Sequence, residues 1–159
     1  GIVNGKDLIR AKKMANSSEK GYIEAVDFDG TIVEHRYPEI GEELPFATYT
    51  LRKLIDDRHQ LILWTVRRGK LLEEAVQWCK DHGIEFYAIN KSFPEEEIGE
   101  KGLYSKVNAD LFIDDRNLGG LPNWPIMYKM INENKTWKDI YTLNAEEEEP
   151  KRKKKGWFW

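Results

Sequence analysis

A chain of 159 residues is long enough for one domain with its own hydrophobic core. Its 25 lysines and arginines nearly balance its 28 aspartates and glutamates, and the net charge of −3 argues against a general attraction to nucleic acid or to an anionic membrane. One cysteine excludes an intramolecular disulfide framework, and no apolar run reaches the ~18 to 20 residues that a transmembrane helix requires. These properties predict a soluble protein of the reducing cytoplasm.

The stretch Tyr22 to Thr31, with the sequence YIEAVDFDGT, organises the rest of the chain. It begins with the short, apolar composition of a strand buried in an α/β sheet. Asp27 and Asp29 follow at the carboxyl end of this strand, where open α/β sheets place their ligands. Two carboxylates this close are costly unless a cation lies between them. Gly30 permits an abrupt change of direction, and Thr31 offers a hydroxyl and backbone donors to an anion.

The remainder of the chain alternates predicted helices and strands. After an excursion or small hairpin over 32–43, the predicted elements are helices over 44–58 and 70–82, strands over 61–65, 84–89 and 109–113, a loop over 90–102, a short fifth strand over 125–130 and a last helical turn over 137–143. Such alternation implies right-handed crossovers and a mostly parallel sheet covered on both faces. We therefore predict an α/β, Rossmann-like three-layer sandwich with about five strands.

Polar residues at the predicted strand ends converge on one edge of this sheet. They are Asp27 and Asp29 after the first strand, Thr65 at the end of the second, Lys106 just before the fourth, and Asp114 with Asp115 after it. Carboxylates at this density favour a hard divalent ion, and Mg²⁺ accepts a few carboxylates together with a substrate phosphate oxygen. A lysine and a hydroxyl then neutralise and orient the remaining phosphoryl oxygens. The set predicts phosphoryl-transfer chemistry.

Four motifs in this order resemble those of the haloacid dehalogenase-like superfamily of phosphohydrolases. The run from Asp27 to Thr31, DFDGT, matches its first motif DxDGT, and Thr65 after an apolar strand matches the second. Lys106, within SKVNADLFIDDR, stands where the third-motif lysine lies, with Lys101 as a competitor, and the pair Asp114-Asp115 matches the fourth motif. The resemblance extends from Tyr22 to about Tyr141, and it is strongest to small bacterial members of the group.

The resemblance implies a two-step hydrolysis of a phosphate monoester with Mg²⁺ as cofactor. Asp27 would attack phosphorus and form an aspartyl-phosphate, while Asp29 would protonate the leaving oxygen and later activate water. The metal would be held by Asp27, the backbone carbonyl of Asp29 and Asp114, with Asp115 in support. Dehalogenase members of the superfamily lack the acid at Asp29, so phosphatase or phosphotransferase activity is favoured.

The resemblance also assigns the phosphate contacts and the shape of the site. Thr65 and Lys106 would hold the phosphoryl oxygens. The spans 32–43 and 66–105, where related proteins insert cap domains, are too short or already occupied by predicted elements. The protein therefore resembles capless members, whose open site suits a large substrate, such as a phosphoprotein or a nucleic-acid end, or closure by an oligomeric neighbour.

Cationic residues follow several of these strand ends and are candidates for substrate binding. They are His35, Arg36, Arg67, Arg68 and Arg116. Cations at the mouth of the site would bind a second phosphate or a polyanion. The alternative for any one of them is a surface salt bridge with one of the many glutamates.

The chain is divided into an N-terminal extension over 1–20, a phosphatase core over 21–144 and a C-terminal tail over 145–159. In the tail, four glutamates and a basic run precede Trp-Phe-Trp. The alternatives for this segment are an inert tail or cloning remnant, contact with a partner protein or a second copy, and contact with a membrane, and partner contact is favoured over membrane contact. One alternative function is a catalytically idle module that acts through this tail. Another is a nucleotide or nucleic-acid-end phosphatase. A receiver domain is disfavoured, because there the lysine follows the hydroxyl residue near the end of the chain.

Overall fold

The structure, a computed structural model, describes residues 21–97, 107–135 and 139. The elements are the strands β1 (Ile23–Val26), β2 (Gln60–Leu63), β3 (Ala88–Ile89) and β4 (Leu111–Ile113), and the helices α1 (Ala47–Asp56), α2 (Gly69–Asp81) and α3 (Trp124–Asn132). Predictions for the extension over 1–20, for Lys101 and Lys106, and for the tail over 145–159 lie outside the described residues. Of the helical turn predicted over 137–143, only residue 139 is described.

The four strands form one parallel sheet in the order β3-β2-β1-β4, which confirms the predicted α/β class. In this sheet Val26 pairs with Leu63 on one side and with Ile113 on the other. The carboxyl ends of β1, β2 and β4 therefore lie level with one another. The residues that follow these strands meet at a single edge, as expected for an open parallel α/β sheet.

Side chains alternate between the two faces of the sheet and build two separate cores. Val26, Leu63 and Ile113 belong to the larger core, to which all three described helices contribute buried residues. Ala25 and Ile62 belong to a smaller core on the opposite face. The sequence predicted helices on both faces, but the helices in the described part of the chain all share the larger core.

Helices α1 and α2 confirm two predictions: α1 is shorter than predicted at both ends, and α2 has the predicted length but begins and ends one residue earlier. Helix α1 begins at Ala47 rather than at residue 44, because Phe46 has a left-handed backbone (φ 63°) that a helix cannot include. The Glu43 carboxylate accepts a hydrogen bond from the backbone N–H of Thr48 at 2.7 Å and so satisfies one of the free donors of the first turn. In α2, the side chain of Cys79 is fully buried.

The predicted fifth strand over 125–130 is wrong, because this segment forms α3. The side chain of Asn123 accepts a hydrogen bond from the N–H of Ile126 at 3.0 Å and caps the helix, and Pro125 lies in the first turn. Trp124, Met127 and Ile131 are spaced three and four residues apart, and they bury one helical face. The sheet consequently has four strands among the described residues instead of about five.

The excursion after β1 is a small hairpin, one of the two forms predicted for it. Val33 forms an antiparallel bridge with Glu43, and the N–H of Glu34 donates to the carbonyl of Glu42 at 2.8 Å. The hairpin brings the backbone of Pro38 and Glu39 next to the edge of the sheet at which the predicted site lies. None of the helices in the described ranges combines the length and the apolar character needed to cross a bilayer.

Candidate active site

A cavity of about 600 Å³ opens at the carboxyl edge of the sheet. The ends of β1, β2 and β4, the hairpin and the start of α2 supply its walls. Eight of the residues predicted from sequence line it: Asp27, Asp29, His35, Thr65, Arg67, Arg68, Asp114 and Arg116. The cavity also has an apolar wall, formed by Trp64, Val66, Leu72 and Ile89. Its volume lies within the range of small-molecule sites.

Three carboxylates converge at this edge. Asp27, Asp114 and Asp115 each place a carboxylate oxygen within 4.8 Å of the others, and all three are half-buried. Burial raises the pKa of Asp27 to about 7, and the nearby charges of Asp114 and Asp115 act in the same direction. Crowded carboxylates of this kind are stabilised by a cation, and hard oxygen donors at this spacing fit the requirements of Mg²⁺.

Gly30 and Thr31 hold the Asp115 carboxylate of this cluster in place. Gly30 has a φ of 81°, and a Cβ added there would lie 2.4 Å from Oδ2 of Asp115. The Thr31 hydroxyl donates to Oδ1 of Asp115 at 3.3 Å and accepts from its N–H at 3.1 Å. The indole N–H of Trp124 donates to the carbonyl of Thr31 at 3.0 Å. Thr31 is completely buried, so the hydroxyl that we expected to face a substrate anion orients Asp115 instead.

Thr65 lies on the cavity wall just beyond β2. Its N–H donates to Oδ1 of Asn90 at 2.8 Å, and its hydroxyl oxygen accepts from the N–H of Arg67 at 3.1 Å. The hydroxyl hydrogen is not used by these bonds and can be donated to a ligand oxygen in the cavity. Asn90 was not predicted as a site residue. It is nevertheless a polar residue that directly follows β3, and the same position after a strand identified Thr65.

Asp29 has different surroundings from the other acids. Its two carboxylate oxygens accept hydrogen bonds from Nε and Nη2 of Arg67, each at 2.7 Å. This bidentate hydrogen bond raises the pKa of Arg67 further. Arg67 is completely buried and Asp29 is only 8% exposed. Arg67 was predicted as a substrate-binding cation at the mouth, but the structure places its guanidinium beneath the mouth, in contact with Asp29.

Three of the four remaining predicted cations lie at the rim of the cavity. His35, Arg68 and Arg116 are exposed and line it. No acidic residue of the described segments forms an ion pair with these three. Arg36 instead pairs with Glu34 at 3.3 Å on the exposed hairpin, which is the surface salt bridge that we considered as its alternative. The rim is therefore cationic, while the floor of the cavity is acidic.

Comparison with known proteins supports this fold but names no activity. No protein-family model matches the chain, and no curated protein matches it. A solved structure, that of a conserved protein from Bacteroides thetaiotaomicron, is 60% identical in sequence, with a TM-score of 0.70. The match covers 76% of this chain and 98% of that protein. At this identity and coverage, the chain belongs to the same family as the conserved Bacteroides thetaiotaomicron protein.

Proposed function

We propose that the protein is a Mg²⁺-dependent phosphatase of the haloacid dehalogenase-like type, without a cap domain, that hydrolyses phosphate monoesters through Asp27. The observation that carries this proposal is the convergence of the Asp27, Asp114 and Asp115 carboxylates within 4.8 Å at the cavity. These three residues would hold Mg²⁺, which supplies charge neutralisation for the phosphoryl oxygens. The order of the motifs in the sequence supports the same assignment.

In the first proposed step, a carboxylate oxygen of Asp27 attacks phosphorus. The bond between phosphorus and the leaving oxygen breaks, its electron pair stays on that oxygen, and Asp29 supplies a proton when the leaving group requires one. The Thr65 hydroxyl donates to a non-bridging phosphoryl oxygen. Lys106, or alternatively Lys101, keeps its predicted role of neutralising phosphoryl oxygens, although both lie outside the described residues.

In the second proposed step, water attacks the phosphorus of the aspartyl-phosphate. Asp29 accepts a proton from this water, the bond between phosphorus and Asp27 breaks, and inorganic phosphate leaves. Asp27 recovers its carboxylate with the electron pair of that bond. The two steps therefore use Asp27 and Asp29 in different roles, in keeping with their different surroundings.

The rim favours substrates that carry negative charge beyond the reacting phosphate. His35, Arg68 and Arg116 are exposed at the cavity without an acidic partner in the described segments. Such cations bind a second phosphate or a phosphodiester backbone. A nucleotide or nucleic-acid end is therefore the second candidate substrate class, within the same chemistry. The alternative of an idle module depends on the tail, which lies outside the described residues.

The experiment measures phosphate release from p-nitrophenyl phosphate and from a panel that includes 5′- and 3′-phosphorylated oligonucleotides. We expect activity with Mg²⁺ and none with chelator. Asp27→Asn should lower kcat by about 10³-fold or more, because it removes the nucleophile. Asp56→Asn, at an exposed position of α1, is the matched control and should retain full activity. Equal rates for the native chain and Asp27→Asn would contradict the proposal.

A further inference from the structure

The guanidinium of Arg67 has no donor left for a ligand. Nε donates to Oδ2 of Asp29, and Nη2 donates to Oδ1 of Asp29 at 2.7 Å and to the carbonyl of Glu39 at 2.9 Å. Nη1 donates to the carbonyl of Pro38 at 3.1 Å and to that of Leu71 at 3.5 Å. A guanidinium carries five N–H groups, so each has an acceptor within the protein. Arg67 therefore cannot bind a substrate phosphate without breaking an internal bond.

The surroundings of Arg67 also fix its position. The ring centroids of Phe28 and Tyr37 lie 5.3 Å and 5.2 Å from its central carbon, which is the distance of a cation–π contact. Its own N–H donates to the Thr65 hydroxyl. The side chain is thus held by the segment that follows β1, by the hairpin and by α2. A charge that is so completely desolvated and so fully bonded is costly to move.

Asp29 has little freedom as a result. Each of its oxygens accepts one N–H from Arg67, which leaves each oxygen further acceptor capacity. Only 9% of its side chain is exposed, so the carboxylate reaches the cavity through a narrow opening. The fork-like geometry of the pair fixes the plane of the carboxylate as well as its position.

We infer that Arg67 is a positioning residue, which holds the Asp29 carboxylate as the acceptor for the proton of the attacking water. This inference rests on the proposed function. It concerns the second step, in which water oxygen bonds to phosphorus, the bond to Asp27 breaks with its electron pair returning to Asp27, and the water proton passes to Asp29. A base displaced by about 1 Å costs on the order of 100-fold in rate.

The test is a rapid-quench experiment on the whole chain with p-nitrophenyl phosphate and Mg²⁺. Nitrophenolate leaves without needing a proton, so the first step does not depend on Asp29. We expect Arg67→Met to release about one equivalent of nitrophenolate rapidly and then to turn over about 100-fold more slowly than the native chain. The acid-quenched variant should carry a phosphoryl group on Asp27. Arg67→Lys keeps the charge and should recover part of the turnover.

Arg58→Lys is the matched control, because Arg58 is exposed and lies outside the cavity. Asp29→Asn should accumulate the same phosphoryl-enzyme, and adding Arg67→Lys to it should slow turnover no further. A structural role of Arg67 would lower the burst amplitude and both rates together, with no accumulation, and this result would overturn the inference. If Arg67→Met does not fold, Arg67→Lys carries the same comparison. A native chain that releases no nitrophenolate would instead refute the proposed function, and the inference with it.

Discussion

Asp27 and Asp29 are separated by one residue but lie in opposite electrostatic environments. Asp27 is close to the carboxylates of Asp114 and Asp115, and burial raises its pKa to about 7. Asp29 instead faces the guanidinium of Arg67. The chain achieves this because β1 ends at Val26 and the backbone then turns, so that the two side chains do not continue the alternation of a strand. Two acids in different surroundings thus arise from one short motif.

At Gly30 we expect the addition of a single methyl group to lower both the stability of the fold and the binding of Mg²⁺. In Gly30→Ala, the left-handed φ of 81° costs about 1 to 3 kcal/mol. The added Cβ also meets Asp115 at 2.4 Å and should displace its carboxylate from the proposed metal-binding cluster. Denaturant unfolding and Mg²⁺ titration by calorimetry measure the two effects separately. Gly120→Ala is the control, since its φ is 78° but its Cβ meets no atom within 4 Å. If both variants bound Mg²⁺ like the native chain, the support of Asp115 by Gly30 would be refuted.

Cys79 provides a probe of unfolding. Burial raises the pKa of its thiol to about 12, so at pH 8 almost no reactive thiolate is present in the folded protein. We expect labelling by a thiol reagent at pH 8 to be slow and to accelerate with denaturant as the unfolded fraction grows. The rate in full denaturant gives the reference for an accessible thiol. Native labelling at that reference rate would contradict the buried position of Cys79.

At the scale of elements, the position of residues at strand ends correctly predicted residues that line the cavity, whereas a short apolar segment was assigned to the wrong type of secondary structure. Strands β1, β2 and β4 were predicted from compact apolar runs, and the residues after them line the cavity as expected. Helix α3 was predicted as a strand because its apolar run is short, although Asn123 and Pro125 are typical of a helix start. Its buried residues repeat at a spacing of three and four residues, and this spacing indicates a helix rather than a strand.

The cap of α3 can be tested directly. In Asn123→Ala, the N–H of Ile126 loses its side-chain acceptor, and the free energy of unfolding should fall by about 1 kcal/mol. Asn123→Ser keeps a capping oxygen and should lose much less. Urea unfolding of the two variants beside the native chain gives both values. An alanine variant as stable as the serine variant would show that the cap contributes nothing to α3.

At the scale of the whole molecule, the sequence was sufficient to predict which acidic residues form the candidate site, but not the buried ion pair between Arg67 and Asp29. Asp27, Thr65 and Asp114 follow strands, and parallel strands bring their ends to one edge, so sequence order was sufficient to group them. Arg67 and Arg68 are neighbours with the same chemistry, yet one is buried against Asp29 and the other lines the rim in solvent. Which of two adjacent arginines turns inward depends on the hairpin and on α2, so their order in the sequence does not reveal it.

Binding of Mg²⁺ at the proposed site should increase the stability of the whole fold. The proposed ligands directly follow β1 and β4, which are neighbours in the sheet but far apart in the chain, so binding to the folded state alone stabilises it by mass action. Because the pKa of Asp27 is raised to about 7, protons compete with Mg²⁺ below that pH, and the gain should shrink as pH falls from 8 to 6. We expect Mg²⁺ to raise Tm by several degrees at pH 8, by much less at pH 6, and by little in Asp27→Asn, with Asp56→Asn as the control. A Tm gain independent of pH, or equal in Asp27→Asn, would place the ion elsewhere, because only the cluster that contains Asp27 predicts both dependences.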